Sequence, residues 1–242
     1  MPGRLILSLT PQRKGRPSGA VIQAATLEAI RGVAPELAQR LHDHGPAPAY
    51  HTALVQKDAR WDLHLGLAKD EDIEELVRGW MRRPPRTVRF GDREAGLLGL
   101  DASVGIRTWD ELMTGRAKHV RLHFRSPTLF RSPSRGDGGP RPIRVFPSPE
   151  RVLDALRRRW AALAPFPLGD EALPAFASEY DFRGRVVTWG RPHPVSGYVG
   201  TVRWNLQGRS QEIAALLRLG TILGVGSRTT RGCGHLEVDW DG

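Results

Sequence analysis

The chain has 242 residues, enough for one large domain or two small ones. Its 36 lysines and arginines outweigh 26 acidic residues, and Lys14, Lys57, Lys69 and Lys118 are the only lysines, so arginine carries the net charge of +10. Arginine's planar fork suits phosphates and stacks on bases, which points to nucleic acid ahead of an anionic membrane surface. A GC-rich genome would explain arginine in place of lysine, but not the net charge. A single cysteine, Cys233, excludes a disulfide framework and a thiolate metal site. No apolar run reaches the roughly 18 residues of a membrane span. The apolar part of MPGRLILSLTPQRKGRP is too short for a signal peptide, so a cytoplasmic protein without membrane contact is expected.

Arg4–Leu9 alternates as a strand does. Pro11–Pro17 is a basic loop holding Arg13, Lys14 and Arg16. Ser18 can cap a helix to about Gly32, with Ala20, Ala24, Leu27 and Ile30 on one face. Pro35–His44 reads as a short helix with proline at an early position, ended by Gly45, Pro46 and Pro48. Thr52–Gln56 and Trp61–Ala68 read as paired strands. Asp70–Arg82 is a helix with acids in its first turn and arginine in its last, as the macrodipole favours. Thr87–Asp101 supplies one or two closing strands, and Gly105–Arg116 is a connector.

The order then repeats. A strand at His119–Arg125 leads into a long basic loop, Pro127–Pro149, and a helix at Glu150–Leu163. Strands at Ala175–Thr188 and Tyr198–Leu206, a helix at Ser210–Leu223 and a strand at His235–Trp240 complete the chain. The pattern predicts an α+β fold of two tandem ferredoxin-like (RRM-like) β-α-β-β-α-β domains. Residues 1–104 form the first, 105–117 a linker and 118–242 the second.

Between the last helix and the last strand lies LGTILGVGSRTTRGCG, Leu219–Gly234. Gly224, Gly226, Gly232 and Gly234 bracket Ser227, Arg228, Thr229, Thr230 and Arg231. Exposed N–H groups of such a loop can cradle an anion. The same spacing equally suits a plain helix-to-strand connection with glycine turns. It is neither a Walker loop, which needs Gly-Lys-Ser/Thr, nor a dinucleotide fingerprint, which runs from strand to helix.

RNA can be cut without a metal when its 2′-hydroxyl attacks the adjacent phosphate, given groups that move protons and positive charge on the phosphate. Histidine suits the proton transfers. His64, His119 and His123 fall inside strands, where packed or solvated roles are expected, while His193 and His235 are ambiguous by position. His42 and His44 sit at a helix end beside a Gly/Pro loop, where a cap or a catalyst would both fit. Asp70, Glu71, Asp72, Glu74 and Glu75 read as a solvated helix face without a histidine at ligand spacing, so no metal and no cofactor is expected. No G-x-S-x-G occurs, and Ser227 is read as a phosphate contact.

Four stretches together resemble one family. The G-x-G…R-x-x-x-G-x-G before the last strand is similar to the glycine-rich signature of the RAMP superfamily, in particular the Cas6 CRISPR endoribonucleases. Leu41-His42-Asp43 resembles the Leu-His-Glu/Asp that ends its first helical region. Phe124–Arg131 (FRSPTLFR) and Ser196–Gly200 (SGYVG) resemble its mid-chain and late strands. The matches span the chain in the family's order.

The resemblance implies tandem ferredoxin-like domains, as the pattern does independently. It implies an endoribonuclease that cuts a CRISPR repeat RNA stem-loop to a cyclic phosphate and a 5′-hydroxyl. A non-catalytic RAMP RNA-binding subunit is the alternative, and effector-complex proteins or a second copy are further partners it allows. His42 becomes the proton-transfer residue, with His44 as fallback. Some relatives add a tyrosine on the first helix and a lysine after the histidine; here neither is in place, which leaves the partner role to Ser18, Gln23, Tyr50 or an arginine. Expected RNA contacts are Arg228, Arg231, Ser227 and Thr229 in the glycine loop, Arg125, Arg131, Arg135, Arg141 and Arg144 at mid-chain, and Arg13, Lys14 and Arg16 near the start. Arg157, Arg158 and Arg159 read as one contact and two solvated charges. Trp189, Trp204 and Phe130 could stack on bases, though buried aromatics are commoner.

Overall fold

The computed structural model describes residues 1–13, 15–43, 45, 48–101, 107–131, 143–144, 146–169, 173–187, 195–207 and 210–241. In β1 (Gly3–Pro11), Leu5, Leu7 and Leu9 are buried on one side. α1 (Gly19–Arg31) starts where the Ser18 hydroxyl accepts from the Val21 N–H. α2 (Pro35–His42) follows, with Pro35 in its first turn. The hairpin β2 (Tyr50–Lys57) and β3 (Arg60–Leu67), α3 (Asp70–Arg82), β4 (Thr87–Phe90) and β5 (Arg93–Asp101) complete this half. The antiparallel sheet runs β2-β3-β1-β5-β4. Ile22 and Ile30 of α1, Leu37 and Leu41 of α2, and Ile73, Leu76 and Trp80 of α3 share one core with Leu5, Leu7, Leu63 and Leu65. Each such side chain contributes about 1.5–3 kcal/mol by leaving water.

The segment read as a linker carries α4 (Trp109–Leu112), opened by a reciprocal Thr108–Glu111 capping box. Then come β6 (His119–Thr128), the short pair β7 (Phe130–Arg131) and β8 (Ile143–Arg144), α5 (Pro149–Leu163), β9 (Ala175–Val187), β10 (Val195–Leu206), α6 (Ser210–Leu223) and β11 (Leu236–Asp241). This second sheet runs β11-β6-β10-β9. Arg218 and Gln211 of α6 donate to the carbonyls of Leu112 (2.8 Å) and Met113 (2.6 Å), so the end of α4 is docked on the second half. Among the described residues no helix is long and apolar enough to cross a membrane.

The strand expected to stop at Arg125 runs on to Thr128. A register shift between Tyr198 and Gly200 lies opposite Arg125–Pro127. A bulge leaves room for a proline without an N–H, and the Pro127 carbonyl accepts from the Gly234 N–H at 3.1 Å. The sequence reading began the long loop at Pro127, and the bulge is what lets the strand continue through it.

The helix-free face of the first sheet sits on the end of α6. Arg4, Gly66 and His51 are register neighbours across β1, β3 and β2. The Arg4 guanidinium donates to the Thr221 carbonyl at 3.4 Å. At Gly66 a Cβ would fall 1.8 Å from the Ile222 carbonyl oxygen, so the two halves touch backbone to side-chain-free backbone.

Candidate nucleic-acid interface

The glycine loop is a tight fold-back. The N–H of Val225 donates to the Gly234 carbonyl (2.8 Å), Ser227 to Leu129 (2.8 Å), Gly234 to Pro127 (3.1 Å) and Arg231 to Arg228 (2.9 Å). These four donors are therefore spent inside the protein and are not offered to a phosphate, so at these positions the loop serves as the helix-to-strand connection that the spacing equally suited. The glycines serve close approach instead. Gly234 has φ +70 and a Cβ there would meet the Val225 carbonyl at 2.0 Å. Arg228 takes the left-handed conformation (φ 62) ahead of a 3-10 turn at Thr229–Arg231, a strain tolerated only where surroundings enforce it.

A buried polar seam holds this loop against the first half. His51 of β2 meets the Thr229 carbonyl through Nδ1 at 2.9 Å and His235 Nδ1 through Nε2 at 3.4 Å. His64 of β3 packs on the His235 ring with centroids 4.4 Å apart. Burial pushes His51 and His64 down to about 3, and His235 well below its ordinary value; nearby arginines add to the effect, while the Thr229 carbonyl at His51 and Asp62 near His64 oppose it. All three are held neutral. Arg159 of α5 is buried as well; it donates to the carbonyls of Leu223 and Gly224 and to the Thr229 hydroxyl. Desolvation lowers it to about 10. Of the arginine triplet, then, Arg159 is the contact, an internal one, while Arg158 is exposed and Arg157 half-buried.

Thr229 is buried and its hydroxyl accepts from Arg159, so its expected RNA contact is corrected to a structural role. Trp204 and Phe130 are also buried, which removes them as stacking platforms. His235, ambiguous by position, belongs to the seam. Ser227 and Arg228 are half-buried and Arg231 is exposed. Arg231 donates from Nε to the Gln23 side-chain oxygen at 3.0 Å, and the Gln23 amide donates to the Tyr50 hydroxyl at 2.8 Å. Arg125 pairs with Glu237 at 2.6 Å. Arg13 makes a surface pair with Asp92 at 3.7 Å. Arg131 lies in β7 without a described side chain, as does Arg144 in β8. His44, Lys14, Arg135, Arg141, Trp189 and His193 lie outside the described residues.

His42 ends α2 with its side chain 62% exposed. Its Nδ1 lies 3.0 Å from the Asp43 carboxylate, which Gln39 also donates to. Those two hydrogen bonds hold the Asp43 carboxyl below its usual range. An ionised carboxylate only accepts, so Nδ1 carries the hydrogen and Nε2 is the nitrogen that can take or give a proton. Among the described residues no three His, Cys, Asp or Glu side chains converge as a metal-ligand set.

Two cavities open along the seam between the halves. The larger, about 900 Å³, lies between Leu54–Asp58 at the β2–β3 turn and Arg125, Arg185 and Glu237 of the second sheet, with Arg16 at its wall. The smaller, about 180 Å³, lies among Arg16, Ser18 and Gly19 at the start of α1, Arg185, Arg231 and Gly232. Arg185 was not singled out by sequence, because one arginine in an alternating strand looks like any solvated strand residue.

Two antiparallel sheets with their helices, in tandem, define an α+β fold of two ferredoxin-like units. A family model, CRISPR-associated endoribonuclease Cas6, matches residues 122–236. Thermus thermophilus Cas6 is similar with TM-score 0.76 at 19% identity, over 99% of this chain and 98% of that one. A product complex of the same Cas6 gives TM-score 0.83 at 21% identity over 99% of both chains. A Cas6-related protein from Pyrococcus furiosus gives 0.70 at 14% identity, again over 99% of both. No curated protein matches significantly. The structural likeness is one of fold, and residues 122–236, just under half of the chain, are similar to the Cas6 family model.

Proposed function

We propose that the protein is a metal-independent endoribonuclease that cuts CRISPR repeat RNA. The 2′-oxygen attacks the adjacent phosphorus while its proton leaves to a base. The bond to the 5′-oxygen breaks, and that oxygen is protonated. The products are a 2′,3′-cyclic phosphate and a 5′-hydroxyl. His42 transfers one of these protons through Nε2, and arginines lining the seam offset the charge that develops on the phosphate. The observation that carries this reading is the His42–Asp43 pair: an open imidazole with a set tautomer, at the place where the family resemblance puts the catalytic histidine. Structural relatives include Cas6 product and substrate-mimic complexes and a histidine-to-alanine mutant, which fits the same reading.

One observation favours the binding-only alternative. Tyr50, the nearest tyrosine, is buried with its hydroxyl held by Gln23, so it is not offered to a substrate. Incubation with a repeat stem-loop in EDTA separates the two. The nuclease reading predicts undiminished cutting and cyclic-phosphate ends. Bound RNA that stays whole supports the alternative, and chelator-sensitive cutting contradicts the metal-independent chemistry.

A further inference from the structure

The arginines around the seam divide into two kinds. Arg125 is paired with Glu237, Arg231 is held by Gln23, and Arg159 is sealed inside. Arg16 and Arg185 are different. Among the described residues neither guanidinium has a hydrogen bond or an acidic partner, and both residues line both seam cavities. Arg16 comes from the loop before α1 and Arg185 from β9, so they reach the seam from opposite halves. The Arg16 pKa is lowered, first by desolvation and then by the Arg185 charge, against an opposing effect of the Cys233 sulfur, although the Arg16 side chain keeps an exposed part. Burial raises the nearby Cys233 thiol to about 12, so near pH 7 it is neutral and supplies no anion to the pair. Glu237 and Asp58 line the larger cavity, and Glu237 is bound to Arg125. The start of α1, with its outward N–H dipoles, faces the smaller cavity.

Like charges brought together from two parts of a fold are unfavourable until an anion lies between them. We propose that Arg16 and Arg185 grip a single backbone phosphate of bound RNA where the strand crosses the seam. The clamp rests on the RNA reading above but not on catalysis. It contributes affinity without reading sequence. It also makes tight binding depend on the two halves holding their relative positions.

The test is binding of a fully 2′-O-methylated repeat RNA, which cannot be cut by its own 2′-oxygen, across a series of salt concentrations. A scrambled RNA of equal length is the control. Arg16→Gln and Arg185→Gln should each weaken binding by about 5- to 30-fold and lower the salt slope by about one ion, as loss of a single phosphate contact does. The double variant should lose little more than either single, because both side chains serve the same phosphate. Arg16→Lys and Arg185→Lys should keep most of the affinity at unchanged thermal midpoint, which separates lost charge from lost fold. Unchanged affinity and slope in both Gln variants overturn the clamp, as does a double variant whose losses add fully. Equal wild-type binding to the scrambled RNA, with the slope change retained, overturns repeat specificity while the clamp stands.

Discussion

Arg159 shows how a charge cluster on a helix can serve the interior. Its guanidinium satisfies two carbonyls at the end of α6 and the Thr229 hydroxyl, three acceptors with no access to water. Arg159→Ala should therefore cost on the order of 3 kcal/mol, while Arg158→Ala on the exposed side should change stability by less than about 0.5 kcal/mol. Paired thermal or urea denaturation checks the contrast. Gly234→Ala combines a left-handed φ with a Cβ 2.0 Å from a carbonyl, whereas Gly184→Ala meets nothing within 4 Å. The first should unfold the loop or the protein, and the second should leave the melting curve near wild type. The glycine motif was plain in the sequence, but its purpose was not. Spacing shows that a backbone is crowded, not whether a phosphate or a neighbouring carbonyl does the crowding.

At the scale of elements, β2, β3 and the residue before β11 each bring one histidine to the same buried spot. The three are neutral in the folded chain because burial disfavours their charge. Above about pH 6.5 they are neutral in the unfolded chain too and add no pH dependence. As pH falls from about 6.5 toward 3, the unfolded chain takes up protons that the folded chain refuses. Stability then falls, by up to ~1.4 kcal/mol per pH unit for each histidine. His64→Phe should make that decline shallower, since among the described residues neither ring nitrogen of His64 has a hydrogen-bond partner. Urea midpoints from pH 7.5 to 4.5 measure it, and a slope equal to wild type would speak against the seam as the source. Strand position left His64 open between a packed and a solvated role, and the order of the main helices and strands was legible from periodicity and caps, while α4 and the short β7–β8 pair were not. The convergence of His51, His64 and His235 was not, because it depends on how one sheet docks on the other half's last helix, and no local pattern encodes that.

The molecule as a whole is two similar units joined along the buried seam, with a close backbone approach where Gly66 meets Ile222. Gly66→Ala places a methyl carbon 1.8 Å from the Ile222 carbonyl oxygen although the surrounding strand is otherwise regular. It should push the halves apart, so RNA affinity should fall roughly 10-fold or more while each half keeps its secondary structure. Circular dichroism with a binding isotherm reads both quantities, and full affinity would show that the seam tolerates separation. The rest of the account turns on His42, whose imidazole stands open beside Asp43 at the end of α2. The most direct measurement is single-turnover cleavage of repeat RNA by wild type and His42→Ala, with binding measured in parallel. Loss of about 100-fold or more in rate at near-unchanged affinity is the predicted result, and equal rates in the two proteins would contradict it.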